Sequence, residues 1–216
     1  NMIEISSAMT FKCVDKYEAS PNDKCPLQDT QNEFDSLTNM DDINCGADSK
    51  PNVKPWRYID RESAQTACLR AGKRLPKNEE WQILAAGTPN SDETCNVSSG
   101  AVSETGFNTE CVSASGVNDV VGNVWEWTHD DVFDGVYKGR ELPKEGYVTQ
   151  VDTAGVAVLT ATSSSELFNQ DYFWSKSEGA YAMMRGGFYG SQTDAGVYTT
   201  HAATLPTMQG VAIGFR

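Results

Sequence analysis

At 216 residues, with 39% hydrophobic and 10% aromatic content, the chain has the length of one domain and a composition that excludes disorder. Its formal charge of −13, from 30 acidic and 17 basic residues, excludes a nucleic-acid binder, which needs a basic footprint. No run approaches the roughly 18 apolar residues of a membrane helix, so no membrane insertion is expected.

The chain starts abruptly at Asn1 and shows no secretory leader, which is compatible with a processed terminus. Thr10–Ala19 (TFKCVDKYEA) alternates like a strand, with Phe11, Cys13, Asp15 and Tyr17 on one side. Residues 20–54 are polar and bracketed by prolines, the composition of a long surface loop. The clearest helix follows Asp60, a good N-cap. Ala64, Ala67, Cys68 and Ala71 recur at helical spacing, and Gly72 is the expected stop. Lys73–Pro76 is a rigid connector. A short second helix, Asn78–Ala86, presents Trp81, Leu84 and Ala85 on one face and closes at Gly87. Residues 88–116 read as loop, with a glycosylation sequon at Asn96-Val97-Ser98. In Val117–Thr128 (VNDVVGNVWEWT), Gly122-Asn123 signals a turn. The strand after it puts Trp125 and Trp127 on one face and Val124, Glu126 and Thr128 on the other. A carboxylate between two tryptophans must be answered by a cation, an arginine or several N–H donors. Residues 129–182 mix turn signals with β-branched runs and read as hairpins and loops.

Cys13, Cys25, Cys45, Cys68, Cys95 and Cys111 show no CxxC spacing, and only two histidines accompany them, so zinc is poorly supported. Three disulfides in an oxidising compartment fit better, although six cysteines allow fifteen pairings. The assignment taken is Cys25–Cys45 and Cys95–Cys111 as local loops, leaving Cys13–Cys68 between a strand and a helix. The competing state is buried free thiols.

Several pieces in order carry a family resemblance: DKYEAS (15–20), GKRLPKNEEW (72–81), GNVWEWT (122–128), RGG (185–187) and the closing GFR (214–216). Over residues ~11–216 the chain resembles the formylglycine-generating enzyme/sulfatase-modifying family. The resemblance implies an α+β, C-type-lectin-like fold: two helices around small twisted antiparallel sheets with extensive loops. It implies one domain over 1–216, with loop-rich insertions at 20–54 and 129–182. Lys77 stands where relatives carry a capping Thr or Ser, so Asn78 is expected to take over that cap. Catalytic members use two cysteines shortly after the RGG. Here Ser191 and Gly196 fall at those places, no cysteine follows Cys111, and no histidine cluster replaces them. Activity of the family type is therefore disfavoured, and the alternatives are an atypical metal-dependent oxidase or an accessory domain of a larger surface protein.

One branch of that family resembles this tail more closely: the variable proteins of diversity-generating retroelements, which keep an RGG…GFR frame and diversify residues between. Within Phe188–Gly214, Asp194 is the only charged residue, and aromatic and small hydroxyl residues dominate, as on interface surfaces. Residues 185–216 are the candidate variable region. The implied contact face comprises Phe188, Tyr189, Ser191, Gln192, Thr193, Asp194, Tyr198, Thr199, Thr200, His201, Thr204, Thr207, Met208 and Gln209. It would take a protein or cell-surface ligand, and the chain would be extracellular, on a virion or on a cell surface. Family members bind calcium before the tryptophan strand. The matching positions are Asp119, Gly122, Val124 and Glu126, whose all-oxygen donors suit a structural calcium ion. The alternative is a salt bridge from Arg185 or Arg216 to Glu126.

Overall fold

The computed structural model describes residues 1–4, 13–90 and 93–216; Thr10, Phe11 and Lys12 of the expected first strand lie outside them. The described residues form three helices, α1 (Glu33–Asp41), α2 (Arg61–Arg70) and α3 (Asn78–Ala85). The strands of the first half are short: β1 (Met2–Glu4), β2 (Cys13–Asp15), β3 (Ala19–Pro21) and β4 (Ala47–Ser49). The second half supplies β5 (Trp125–Phe133), β6 (Val136–Tyr137), β7 (Arg140–Glu141), β8 (Gly146–Val151) and β9 (Ala157–Ala161). It closes with β10 (Tyr172–Ser175), β11 (Ala180–Arg185), β12 (Thr200–Thr204) and β13 (Ile213–Phe215).

Nine strands make one sheet in the order β7-β6-β5-β11-β12-β10-β8-β9, with β13 also pairing β5. The pairings β13–β5 and β10–β12 are parallel and the others antiparallel. The α+β class is as expected, but the expectation of two helices around small antiparallel sheets is corrected on three points. The main sheet is large and mixed, and a third helix is present. The sheet is large because 129–182 is not loop around a core: its β-branched runs pair, Tyr147 opposite Ala161 and Val148 opposite Thr160. Helix α1 was hidden inside the supposed 20–54 loop. It buries only Ser36 and Asn39, so it has no apolar stripe to announce it. Its start is fixed by Asn32, whose side chain accepts the Asp35 N–H at 3.0 Å.

Helix α2 starts as its sequence demands, with the Asp60 carboxylate accepting the Ser63 N–H at 2.8 Å. Gly72 follows its end in a left-handed conformation (φ 72°). Ala64, Ala67 and Cys68 pack against Trp56, Trp125, Trp127 and Phe215 in one core cluster. Helix α3 is capped differently from expectation. Asn78 is its first residue and does not cap it; the Asn78 N–H donates to Asp130 of β5 at 2.6 Å, and Glu80 accepts the Lys77 N–H at 2.8 Å. A neighbouring strand thus supplies the missing cap.

The disulfides Cys25–Cys45 and Cys95–Cys111 form as assigned. The third pairing is corrected: Cys13 is an exposed thiol and Cys68 a buried one. Helix packing buries Cys68 among apolar neighbours, which pushes its thiol up to about 12 and keeps it protonated.

Between the sheet and α3, Glu126 is fully buried and is answered by arginine. Arg216 donates through Nη2 to Oε1 at 2.6 Å and through Nε to Oε1 at 3.0 Å, and Trp81 Nε1 donates to Oε2 at 2.7 Å. The rest of the Arg216 fork reaches the Asn118 and Asp15 carbonyls at 2.7 and 3.2 Å. The last residue is thereby tied to β2, the 117–124 turn and β5 at once. Removing one partner of a buried pair strands the other charge, at about 3–5 kcal/mol. Arg216→Ala should therefore lower unfolding free energy by about that amount in urea denaturation. A loss under about 1 kcal/mol would mean that the pair is dispensable.

Candidate functional site

The candidate site is the segment between Arg185 and Arg216, and its frame is rigid for identifiable reasons. Arg185 is fully buried and stands opposite Glu126 across β11 and β5, but its guanidinium bonds elsewhere. Its Nε donates to the Thr199 carbonyl at 3.1 Å and its Nη2 to the Val197 carbonyl at 2.9 Å. The other side of the fork reaches α3, at Asn78 Oδ1 and, at 2.6 Å, Gln82 Oε1. Its guanidinium stacks 4.6 Å from the Trp81 ring centroid. Burial without a carboxylate partner lowers its pKa to about 10, still charged at neutral pH. Arg185 thus clamps the segment's main chain to α3 without reading any of its side chains.

Gly186 and Gly187 follow at φ 89° and 86°, where a Cβ on Gly186 would meet the Val120 carbonyl. The Gly122 N–H donates to the Gly186 carbonyl at 3.1 Å, and the Tyr189 N–H to the Asn123 carbonyl at 3.1 Å. The expected turn at Gly122-Asn123 has both residues left-handed (φ 80° and 54°) and holds the segment directly.

Of the fourteen residues expected on the contact face, Gln192, Thr193, Thr207 and Met208 are exposed. Phe188, Tyr189, Ser191, Asp194, Tyr198, His201 and Gln209 are half-buried. The remaining three are corrected: Thr200 and Thr204 point inward by alternation along β12, and Thr199, just before the strand, is buried as well. Thr199 bonds to the Asp194 carbonyl at 2.5 Å, Thr200 to that of Tyr198 at 3.1 Å, and Thr204 to His201 Nδ1 at 2.6 Å.

The outward face of β12 meets a row of rings that sequence reading missed. Tyr147 contacts Tyr172 (5.1 Å), Tyr172 contacts Trp174 (4.6 Å), and Trp174 stacks on His201 (5.3 Å, 11°). His201 meets Trp125 (5.7 Å), Trp125 meets Phe188 (6.5 Å), and Phe188 meets Tyr189 (5.2 Å). Every ring but Trp125 is half-buried, so the row is accessible on either side of that buried ring. Three of its seven rings, Tyr147, Tyr172 and Trp174, come from β8 and β10, in the stretch read as insertion. The Tyr172/Trp174 alternation around buried Phe173 was its only sequence signal. Burial between the tryptophans lowers His201 to about 4, so it is a neutral ring at physiological pH.

The two positions that match the family's catalytic cysteines have other duties. Ser191 Oγ accepts the Phe188 N–H at 3.0 Å. Gly196 lies so close to Asp171 and Asn90 that an added Cβ would collide with both. The sequon is also occupied: Asn96 is buried, and its Nδ2 donates to Ala101, Ser103 and Asn123 at 2.8–3.0 Å. A sugar on Asn96 would break all three.

Around Glu126 lies a second buried cluster. Asp119 is buried at φ 56°, and its Oδ2 accepts the Gly106 N–H at 2.6 Å. Glu18 is fully buried and accepts Asn123 Nδ2 at 2.5 Å and the Val124 N–H at 3.2 Å. Burial pushes Glu18 well up and Asp119 up to about 6, while Arg216 opposes both shifts. Three carboxylates share one guanidinium, so the cluster holds more acid than base. No three His, Cys, Asp or Glu side chains converge as a metal set among the described residues. A cation here would lean on main-chain oxygens as well, which is the donor mix of the Asp119, Gly122, Val124 and Glu126 set.

A mixed α+β frame thus fixes a charge-poor segment by main-chain clamps. The chain belongs to the family described as sulfatase-modifying factor enzyme 1-like domain, whose model matches residues 11–216. The formylglycine-generating enzyme of Thermomonospora curvata is 30% identical over an alignment of 105 residues, which takes in 38% of this chain and 34% of that enzyme. The chain thus spans about a third of the length of that relative. Among solved structures, Treponema denticola variable protein 1 matches at TM-score 0.50 and 14% identity, over 99% of this chain and 92% of that one. The M1 variant of the major tropism determinant matches at TM-score 0.47 and 22% identity, over 77% of this chain and 44% of that one. The likeness to variable proteins holds at the level of fold. No helix among the described residues is long and apolar enough to cross a membrane.

Asp171 joins the two halves of the site. It is buried between Asn90 Nδ2 and the Tyr198 N–H, both at 2.7 Å, and burial pushes its pKa up to about 7. A carboxyl raised from the usual value near 3.9 contributes stability that is fully present below pH ~4 and lost as pH rises through about 7. We expect wild type to lose on the order of 1 kcal/mol per pH unit between pH ~4 and ~7 relative to Asp171→Asn, measured by denaturation across that range. Parallel pH profiles for the two proteins would refute it.

Proposed function

We propose that this chain is a non-enzymatic display protein: a C-type-lectin-like frame whose 185–216 segment varies as part of a diversity-generating retroelement. It binds a protein or cell-surface partner through that segment, in an extracellular, virion-surface or cell-surface setting. The observation that supports the reading best is the separation of duties in the segment. Its main chain is held by Arg185, Gly122 and Asn123, whereas Gln192, Thr193, Thr207 and Met208 leave their side chains on the surface and Phe188 and Tyr189 are half-buried. Such a segment can change its side chains without changing its path. The accessible ring row gives rigid aromatic area, which dominates binding energy at interfaces. Both disulfides suit an oxidising compartment. The lack of room for a side chain at Gly196 speaks against a cysteine-based oxidase.

Sequencing the locus across isolates tests this. Substitutions should concentrate at exposed positions from Phe188 to Gln209, spare Thr199, Thr200 and Thr204, and fall at adenine positions of an adjacent template copy. Scattered differences, or a locus without a reverse transcriptase, would sink the reading.

We also propose that calcium is held by Asp119, Glu126 and the main-chain oxygens of Gly122 and Val124. It would answer the surplus carboxylate and stiffen the turn that carries the segment. Melting should rise with added calcium and fall in excess chelator. Identical melting curves would leave Arg216 as the sole answer to Glu126.

A further inference from the structure

A cavity of about 490 Å³, to which no residue of the ring row contributes, is left unassigned by the display reading. The volume is within the roughly 300–1,000 Å³ range of small-molecule sites. Four parts of the chain wall it: Val97-Ser98 in the disulfide-closed loop, Gln192–Ala195, residues of the Glu166–Gln170 stretch after β9, and Asn90.

The walls are fixed. The Gln192 N–H donates to the Val97 carbonyl at 2.8 Å, which joins two of them. The third is closed by a 3₁₀ turn, with Gln170 N–H on the Ser165 carbonyl at 3.0 Å. Asp171 then ties that wall to Tyr198 and Asn90. Asn169, Gln170 and Gln192 are all left-handed, at φ 50°, 66° and 54°. Non-glycine residues take that conformation at a cost, and such positions gather at ligand sites.

The lining chemistry is unusual. Ser98, Glu166, Asn169, Gln170, Gln192 and Thr193 all line the cavity, and none of their side chains is hydrogen-bonded to another described residue. Gln170 is half-buried and the other five are exposed, so three primary amides, two hydroxyls and one carboxylate are hydrated and open to a ligand. Among the described residues no Lys, Arg or His lines the space, and the chain carries −13, so an anion has no partner there. No aromatic ring lines it either, so a flat apolar ligand gains little. A ligand that suits it is neutral and compact, and dense in groups that both donate and accept. Hydroxyls around a saccharide ring have that character, because each can donate to an amide or carboxylate oxygen and accept from an amide N–H.

We propose that this cavity binds a neutral monosaccharide unit, free or at the end of a glycan, by direct hydrogen bonds from amide and hydroxyl side chains and without a metal. The inference adds a ligand class to the display reading and stands on separate residues, apart from the shared Gln192 and Thr193.

The test is saturation-transfer NMR and calorimetry on the full chain, with D-galactose, D-mannose, N-acetyl-D-glucosamine and anionic N-acetylneuraminic acid as probes. At least one neutral sugar should bind, equally well with and without chelator, and the anionic sugar should not. Thr193→Val removes a hydroxyl at constant shape, and Gln192→Gly removes an amide while keeping the left-handed backbone. Each should weaken binding about tenfold with unchanged melting. Trp174→Ala, on the ring row, should leave sugar affinity unchanged. Failure of every neutral sugar overturns the inference, as does binding that Trp174→Ala abolishes or that Gln192→Gly ignores. Loss of chelator independence overturns the metal-free arrangement. None of these outcomes touches the display reading, which stands or falls on variation at the locus.

Discussion

The structure hangs on the Arg216 guanidinium set against the Glu126 carboxylate. Both groups are out of water, so each is tolerable only because the other is in place, and because Trp81 and the carbonyls of Asn118 and Asp15 fill the remaining bonding positions. The pair joins the last residue to the central strand β5, to β2 and to the turn before the tryptophans. Everything between Arg185 and Arg216 is therefore pinned at both ends by buried arginines of different design. Arg216 meets a charge. Arg185 meets only neutral oxygens, and its role is geometric.

That difference matters for presentation. A clamp that grips main-chain carbonyls is indifferent to the side chains it carries, so the segment's path survives changes in its sequence. The same logic explains the glycines at 186 and 187, where the chain passes too close to Val120 and Ala195 for a Cβ. Side chains of β12 then divide by alternation. Thr200, Ala202 and Thr204 are spent on packing, while His201 faces the rings. The surface that results is composite: Phe188, Tyr189 and His201 belong to the framed segment, Tyr147, Tyr172 and Trp174 to β8 and β10, and Trp125 to β5.

Much of this was legible in the sequence because it depends on local rules. Asp60 and Gly72 delimit α2 through capping and left-handed geometry. Gly122-Asn123 makes a turn because both residues accept positive φ. Two disulfides close short polar loops, as their spacing suggests. Other features were hidden because their causes are distant. Asp130 caps α3 from 52 residues away, so no local motif could show it. Helix α1 carries no apolar stripe, and its polar surface reads as loop. Cys13 and Cys68 looked like the remaining pair by elimination, yet the fold keeps them as thiols.

The sequence by itself determined that Glu126 needed a partner, since a carboxylate between tryptophans cannot be buried alone. It also determined where the frame of the C-terminal segment begins and ends, and that no cysteine follows Cys111. Only the tertiary structure decided that Arg216, and not Arg185, meets Glu126, because two residues 90 apart are brought together by the parallel pairing of β13 on β5. It alone turned Thr199, Thr200 and Thr204 inward, set the rings of the supposed insertion beside the segment, and opened the polar cavity behind it. Side-chain direction follows from strand register, and register follows from partners that lie far away in the chain.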